Sequence, residues 1–232
     1  LSVNWGFTNI LITKDRLLTT NSSYSLPSAS YNNLIITKKG KIMQSPLYLF
    51  TVEEYLELEQ SSDIRHEYFS GEVFAMAGGS KEHNILSGNI YSGLRSHLRG
   101  SSCNVFMSDM KVKINLANEN KTIFYYPDVI VSCDTEDQDR YALNYPCLII
   151  EVLSPSTETI DRREKLINYR TLPSLREYVL ISQDKVKVEI YRQDQQGNWT
   201  IQTLINIEDN LYLDSIELTL KIADIYEDVI NI

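Results

Sequence analysis

Two stretches, YYPDVIV (Tyr125–Val131) and PCLIIEVLSPSTETIDRREK (Pro146–Lys165), decide how this chain folds. Each contains an apolar run of strand length, rich in Val and Ile, which is the pattern of strands buried on both faces. Each run also carries one carboxylate, Asp128 within Tyr126–Val131 and Glu151 within Leu148–Leu153. An ionised carboxylate in such a run is costly unless a counter-charge or a metal ion accompanies it. Pro155 ends the second run, Thr157 can cap the next element, and a helix carrying Lys165 is expected to about Thr171. Two acids on separate strands, then a lysine on the next helix, predict a site. The rest of the chain reads as its scaffold.

Working outward, Thr51 and Glu54 form a capping box for a short helix, VEEYLELE. Arg65–Phe69 and Glu72–Ala77, around Ser70–Gly71, read as a hairpin. Ser80 caps a long helix to about Leu98, with Ile85, Ile90, Leu94 and Leu98 as its apolar stripe. Asn104–Met107 and Met110–Asn115 are short strands, Asn118–Lys121 is a turn, and Thr122–Val131 reads as one long central strand. The second central strand, Cys147–Leu153, is followed beyond its helix by Glu177–Ser182, Lys185–Arg192, Trp199–Leu204 and Leu211–Leu213, and by a helix around Ile222–Val229. Helices interrupting a majority of strands argue for an α/β fold with a mixed β-sheet flanked by helices.

Residues 1–42 read differently. Thr19–Asn33 is polar, rich in Ser and Asn, and without period, so it is not expected to pack. Met43 is the first methionine, and 1–43 reads either as an extension ahead of the natural start or as a disordered arm. No linker interrupts 44–232, which reads as one domain. The charge shows the same division. Residues 1–42 hold five basic side chains against Asp15, net +4, which leaves −13 for the remainder of a chain whose total is −9. Long-range attraction to nucleic acid is therefore weak, and any polyanion site must be local. Cys103, Cys133 and Cys147 are scattered and odd in number, so they read as reduced and buried in a cytoplasmic protein. His83 and His97 stand about 21 Å apart along one helix, too far for a shared zinc. No run reaches the roughly 20 apolar residues of a membrane span.

Asp128 and Glu151 could hold Mg²⁺ or Mn²⁺ where a phosphate oxygen meets a water. The plain alternative is two acids satisfied by backbone N–H groups or an arginine. Lys165 could orient or deprotonate that water, or could simply pair with Asp161 four residues back on an exposed helix. Glu67 could complete a carboxylate cluster or serve as an edge-strand charge, and His83 could touch a phosphate or only cap its helix. Ser154 and Ser156 lack a nucleophile elbow. Tyr125, Tyr126, Tyr141, Tyr145 and Tyr169 could stack bases or fill strands.

The order and spacing of HEYFSGEVFAMAGGSKEHNIL (His66–Leu86), YYPDVIV and PCLIIEVLSPSTETIDRREKLINYRTLPSLREYVLI (Pro146–Ile181) resemble the Uma-two family. These are restriction-endonuclease-like proteins of the PD-(D/E)XK nuclease superfamily. The resemblance covers roughly 47–230 and implies a restriction-endonuclease-like core. It matches Pro127–Asp128 to the PD element and Glu151 to the acidic position of (D/E)XK. Leu153 stands where the superfamily has lysine, and the resemblance implies that Lys165 has taken that role from the following helix. It matches Glu67 to an upstream acid and His83 to a recurring histidine. The expectation is a Mg²⁺- or Mn²⁺-dependent endonuclease acting on DNA, with Asp128, Glu151, Lys165 and Glu67 catalytic and His83 accessory. The partners expected are nucleic acid and, in a homodimer, a second copy of the chain, without a membrane. An inactive binding or regulatory protein that keeps the fold is the alternative class, and hydrolysis of a small phosphoester a third.

Overall fold

The computed structural model describes residues 34–36, 42–44, 49–76, 78–116, 120–155 and 157–229. The tract Thr19–Asn33, Asn118 and Glu119 of the Asn118–Lys121 turn, and Ser156 lie outside them. The chain divides into two compact units, Leu1–Ala77 with Lys121–Ile123, and Gly78–Asn120 with Phe124–Ile232.

In the first unit, β1 (Leu34–Ile36) and β2 (Ile42–Gln44) pair antiparallel, so a short ladder stands within a region expected not to pack. Helix α1 (Val52–Ser61) opens on the capping box read from sequence: Glu54 N–H donates to Thr51 Oγ1 at 3.2 Å, and Thr51 N–H donates to Glu54 Oε2 at 3.1 Å. Strands β3 (His66–Phe69) and β4 (Glu72–Ala75) form the expected hairpin. Gly71 turns it at φ 105°, and a Cβ there would lie 2.9 Å from that of Leu49. Tyr55 of α1 stacks on Tyr68 of β3 with ring centroids 4.9 Å apart. Their hydroxyls donate to the carbonyls of His66 and Phe50, which fastens helix to hairpin.

The second unit begins with α2 (Lys81–His97), capped by Ser80. Then come β5 (Asn104–Met107), β6 (Lys111–Leu116), β7 (Lys121–Tyr125), β8 (Val129–Ser132), β9 (Ala142–Leu143) and β10 (Pro146–Leu153). After β10 the helical segment has three parts: α3 (Glu158–Ile160), a π-helical turn (Asp161–Lys165) and α4 (Leu166–Tyr169). Strands β11 (Glu177–Ser182), β12 (Val188–Gln193), β13 (Trp199–Leu204), β14 (Asn210–Leu213) and β15 (Leu218–Lys221), then α5 (Ile222–Ile225), complete it. The expected strand Thr122–Val131 is two strands, because Pro127 has no N–H to give a ladder. Asp128 therefore sits at the mouth of β8.

Six strands form a mixed sheet in the order β13-β12-β11-β10-β8-β5. Only β10 and β11 are parallel within it, and a parallel pair needs a crossover, which the helical segment 158–169 supplies. Side-chain alternation gives β10 two faces. Leu148, Ile150 and Val152 join Leu86, Ile90 and Leu94 of α2 in the hydrophobic core. Ile149, Glu151 and Leu153 face the other way. The α2 stripe runs through Leu86, not Ile85, which is only half-buried. Among the described residues no helix is long and apolar enough to cross a membrane.

The cysteines correct the sequence reading. Cys103 and Cys133 form a disulfide, and Cys147 is the free thiol. Asn104 pairs with Ser132 across β5 and β8, so the next residues out, Cys103 and Cys133, stand opposite each other despite 30 residues of separation. Cysteine usage therefore no longer speaks for a cytoplasmic protein.

The register of α2 gives a first expectation. Leu86→Ala should destabilise the protein by about 2–5 kcal/mol in denaturant unfolding, as for a fully buried leucine. Ile85→Ala should cost less than about 1.5 kcal/mol. Equal losses would show that the helix presents a different face.

Candidate active site

The parallel pair β10/β11 fixes what faces what. Glu151, 3 % exposed, lies on the β10 face that the crossover covers. Lys165, 6 % exposed, and Asp161, 2 % exposed, come from the π-helical turn. Lys165 Nζ lies 3.2 Å from Glu151 Oε1 and 3.3 Å from Asp161 Oδ1. Lys165 and Asp161 are thus a buried pair, contrary to the exposed surface pair that their i,i+4 spacing allowed. A π-helical turn widens the helix by one residue, a feature frequent at functional sites.

Tyr169 OH donates to Glu151 Oε1 at 3.1 Å. Tyr178 OH donates to the Asp161 carbonyl at 3.1 Å, and burial pushes that phenol well above its ordinary value. The rings of Tyr125, Tyr169 and Tyr178 contact in series, with centroids 5.4 and 5.2 Å apart. Tyr125, Tyr126 and Tyr169 are buried, so they do not stack bases, whereas Tyr141 and Tyr145 are 56 and 42 % exposed. Asp161 Oδ1 is out of line for a hydrogen bond to the ammonium and has no other hydrogen-bond partner.

Asp128 joins the same cluster from the mouth of β8. Its N–H donates to Glu151 Oε2 at 3.3 Å, and Val152 N–H donates to its Oδ2 at 2.7 Å. His83, in the first turn of α2, brings Nε2 to 3.2 Å from the same oxygen. Burial alone would lower the imidazole pKa. The bond to Asp128, the charges of Asp128 and Asp161, and the Val152 carbonyl outweigh it, and the net shift is upward. Glu67, the fifth expected residue, stands on β3 of the first unit, opposite Phe74.

Asp128, Glu151 and Asp161 oppose Lys165 and His83, which leaves a net charge of −1 with the imidazole protonated and −2 with it neutral. A divalent cation would offset that excess. Among the described residues no three His, Cys, Asp or Glu side chains are arranged as a metal cage. Asp128 and Glu151 are oxygen donors, the type that hard ions such as Mg²⁺ take one or two of beside water. A shallow cleft at the carboxyl ends of β10 and β11, lined by Ser154, Ser182, Gln183 and Lys185 among others, starts two residues beyond Glu151. Carboxyl ends of parallel strands are where open α/β sheets take ligands.

Sequence reasoning missed Asp161 and Tyr169 as parts of the site. Their signal was Asp161, Lys165 and Tyr169 at steps of four, which place all three on one helical face. Arg162 is no bland neighbour either: it pairs with Glu158 and with Glu189 of β12.

Several known proteins are similar to this chain. A family model described as Uma2, "Putative restriction endonuclease", matches residues 52–223. Two uncharacterized Synechocystis proteins share much of its sequence. One, slr1290, is 38 % identical over 183 residues, covering 78 % of this chain and 94 % of the relative. The other, sll1609, is 33 % identical over 160 residues, covering 68 % and 88 %. A crystal structure titled as "a putative nuclease belonging to DUF820" from Anabaena variabilis superposes with a TM-score of 0.63 at 18 % identity, over 76 % of this chain and 97 % of its own. That likeness shows the shared nuclease-like α/β fold.

The geometry carries two expectations. Lys165→Ala leaves Glu151 and Asp161 buried without their shared cation and should cost about 3–5 kcal/mol in denaturant unfolding, against less than about 1 kcal/mol for an exposed pair. In metal-free protein, the His83 resonance should titrate above the ordinary histidine value and move down in Asp128→Asn. Because the folded pKa is raised, the stability from this pair is full below the unfolded pKa and is lost as pH rises through the folded one. An unshifted titration in wild type would contradict the 3.2 Å pairing.

Proposed function

The chain belongs to the Uma2 family, and from that premise we propose that it is a metal-dependent endonuclease that hydrolyses phosphodiester bonds in DNA, with Mg²⁺ or Mn²⁺ as its ion. The observation that carries this reading is Glu151. One carboxylate accepts the Asp128 N–H on one oxygen, and on the other meets both the Lys165 ammonium and the Tyr169 hydroxyl. Asp128, Glu151 and Lys165 thus converge, a set that metal-assisted phosphodiester hydrolysis can use.

Asp128 and Glu151 would hold the ion, which when bound supplies a Lewis acid and an activated water. Tyr169 and Lys165 hold Glu151 Oε1, which fixes the rotamer and leaves Oε2 beside Asp128 before substrate arrives. Lys165 presents a fixed positive charge that would offset the charge developing on the phosphorus oxygens. His83 holds Asp128 Oδ2 at 3.2 Å and could present its imidazole to a phosphate oxygen beside that carboxylate.

The net charge of −9 favours a second reading, a regulatory or binding protein that keeps the fold, because an acidic surface repels DNA over long range. Cleavage decides between them. Supercoiled and linear DNA should be cut with Mg²⁺ or Mn²⁺ and left intact with chelator. Glu151→Gln and Asp128→Asn should each slow cutting by at least about a hundredfold. Glu67→Gln is assayed beside them, since the resemblance gives the upstream acid a part in the reaction. Mg²⁺ should raise the wild-type melting temperature by mass action, and Asp128→Asn should lose that gain. No cutting with either ion, in protein whose melting temperature the ion raises, would overturn the nuclease reading. Sedimentation of the same sample reads whether the working unit is a homodimer.

A further inference from the structure

The other end of the same sheet holds a second chemical group, unconnected with the carboxylates. Strand β8 runs from Asp128 at one end to Cys133 at the other, and β10 from Cys147 to Glu151. Cys133 is bonded to Cys103, just before β5, and Cys147 Sγ lies 3.7 Å from Cys133 Sγ. The backbone explains the approach. The β8/β10 register pairs Pro146 with Ser132 and Leu148 with Val131, so Cys147 is the extra residue of a bulge. Bulges re-aim a side chain. Here the thiol points along the ladder, donating to the Val131 carbonyl at 3.4 Å with the Cys133 sulfur beside it. Three sulfurs from three adjacent strands thus form a contact series, and all three residues are half-buried.

We propose that Cys103, Cys133 and Cys147 form a thiol–disulfide exchange site in which the covalent link moves between β5–β8 and β8–β10. The Cys147 thiol gives up its proton, and its thiolate attacks Cys133 Sγ. The Cys133–Cys147 bond forms as the Cys103–Cys133 bond breaks, and Cys103 leaves as a thiolate that takes up a proton. One thiol and one disulfide stand on each side of the exchange, with no net electron transfer, so no oxidant or reductant is consumed. The exchange releases the edge strand β5 and ties β8 to the strand that carries Glu151. Burial, with the Glu177 carboxylate of β11 adding to it, pushes the Cys147 thiol up to about 11, which sets a slow rate at neutral pH.

The full chain, purified without reductant, is held with excess N-ethylmaleimide at pH ~7 and pH ~9, then unfolded and digested with trypsin in the same reagent. The thiolate fraction of Cys147 rises about a hundredfold between the two conditions. Lys111 separates Cys103 from Cys133, and Arg140 separates Cys133 from Cys147, so each cysteine lies in its own peptide. Molecules with one label and one disulfide are read by mass. The expected result is label on Cys147 in one population and on Cys103 in another, the second paired with a Cys133–Cys147 link. Cys147→Ser should abolish labelling and keep the Cys103–Cys133 link. Cys103→Ser, oxidised with diamide, should close Cys133–Cys147 with loss of both thiols. Label confined to Cys147 at both pH values, three labelled cysteines in the native protein, or two persistent thiols in folded Cys103→Ser would each overturn the proposal. Should Cys103→Ser not fold, the wild-type labelling decides alone.

Discussion

A lysine buried between two carboxylates is the constraint on which the second unit depends. Lys165 cannot leave the sheet face without exposing Glu151 and Asp161 as uncompensated buried charges, which costs several kcal/mol per ion. It stays because the parallel pair β10/β11 forces the chain over that face, and because the π-helical turn brings Asp161 and Lys165 down together. The same crossover delivers Tyr169, whose hydroxyl completes the shell of Glu151. Packed apolar side chains in place of a buried ionic group are often as stable or more so, so stability alone does not account for this one.

The two acids stand opposite each other across neighbouring strands. The register that pairs Ile150 with Val129 sets Asp128, at the mouth of β8, across from Glu151 of β10, and His83 of α2 reaches the same carboxylate. The amino end of α2 carries the positive end of its dipole, and His83 in its first turn adds an imidazole whose pKa is raised. Backbone ties the two acids together: Asp128 N–H donates to Glu151, and Val152 N–H donates to Asp128. Small movements of β8 against β10 therefore alter the spacing of the two carboxylates. Cys133 and Cys147 lie at the far ends of those same two strands, and the disulfide ties Cys133 to Cys103 beside β5.

Family membership and fold were legible because they live in local pattern. The apolar runs, the capping box of α1, the β3–β4 hairpin and the Ser80 cap each arise from neighbouring residues, and each stands where the sequence placed it. The misreadings share one cause. Pro127 divides what hydropathy alone joins, Ile85 and Leu86 are adjacent and only packing selects between them, and Cys103 and Cys133 meet through strand register.

By itself the sequence determined which residue types stand on which elements: Glu151 within a strand, Lys165 on the following helix, His83 at a helix start, whereas Asp128, expected within a strand, stands just ahead of one. Those assignments rest on propensity, periodicity and capping, all set within a few residues. Only the tertiary structure decided that Lys165 is buried against Glu151 instead of solvated beside Asp161, that Asp161 and Tyr169 belong to the site, and that the cysteines cluster. Charge burial and strand register depend on what a distant segment brings to the other side, and no local pattern carries that information.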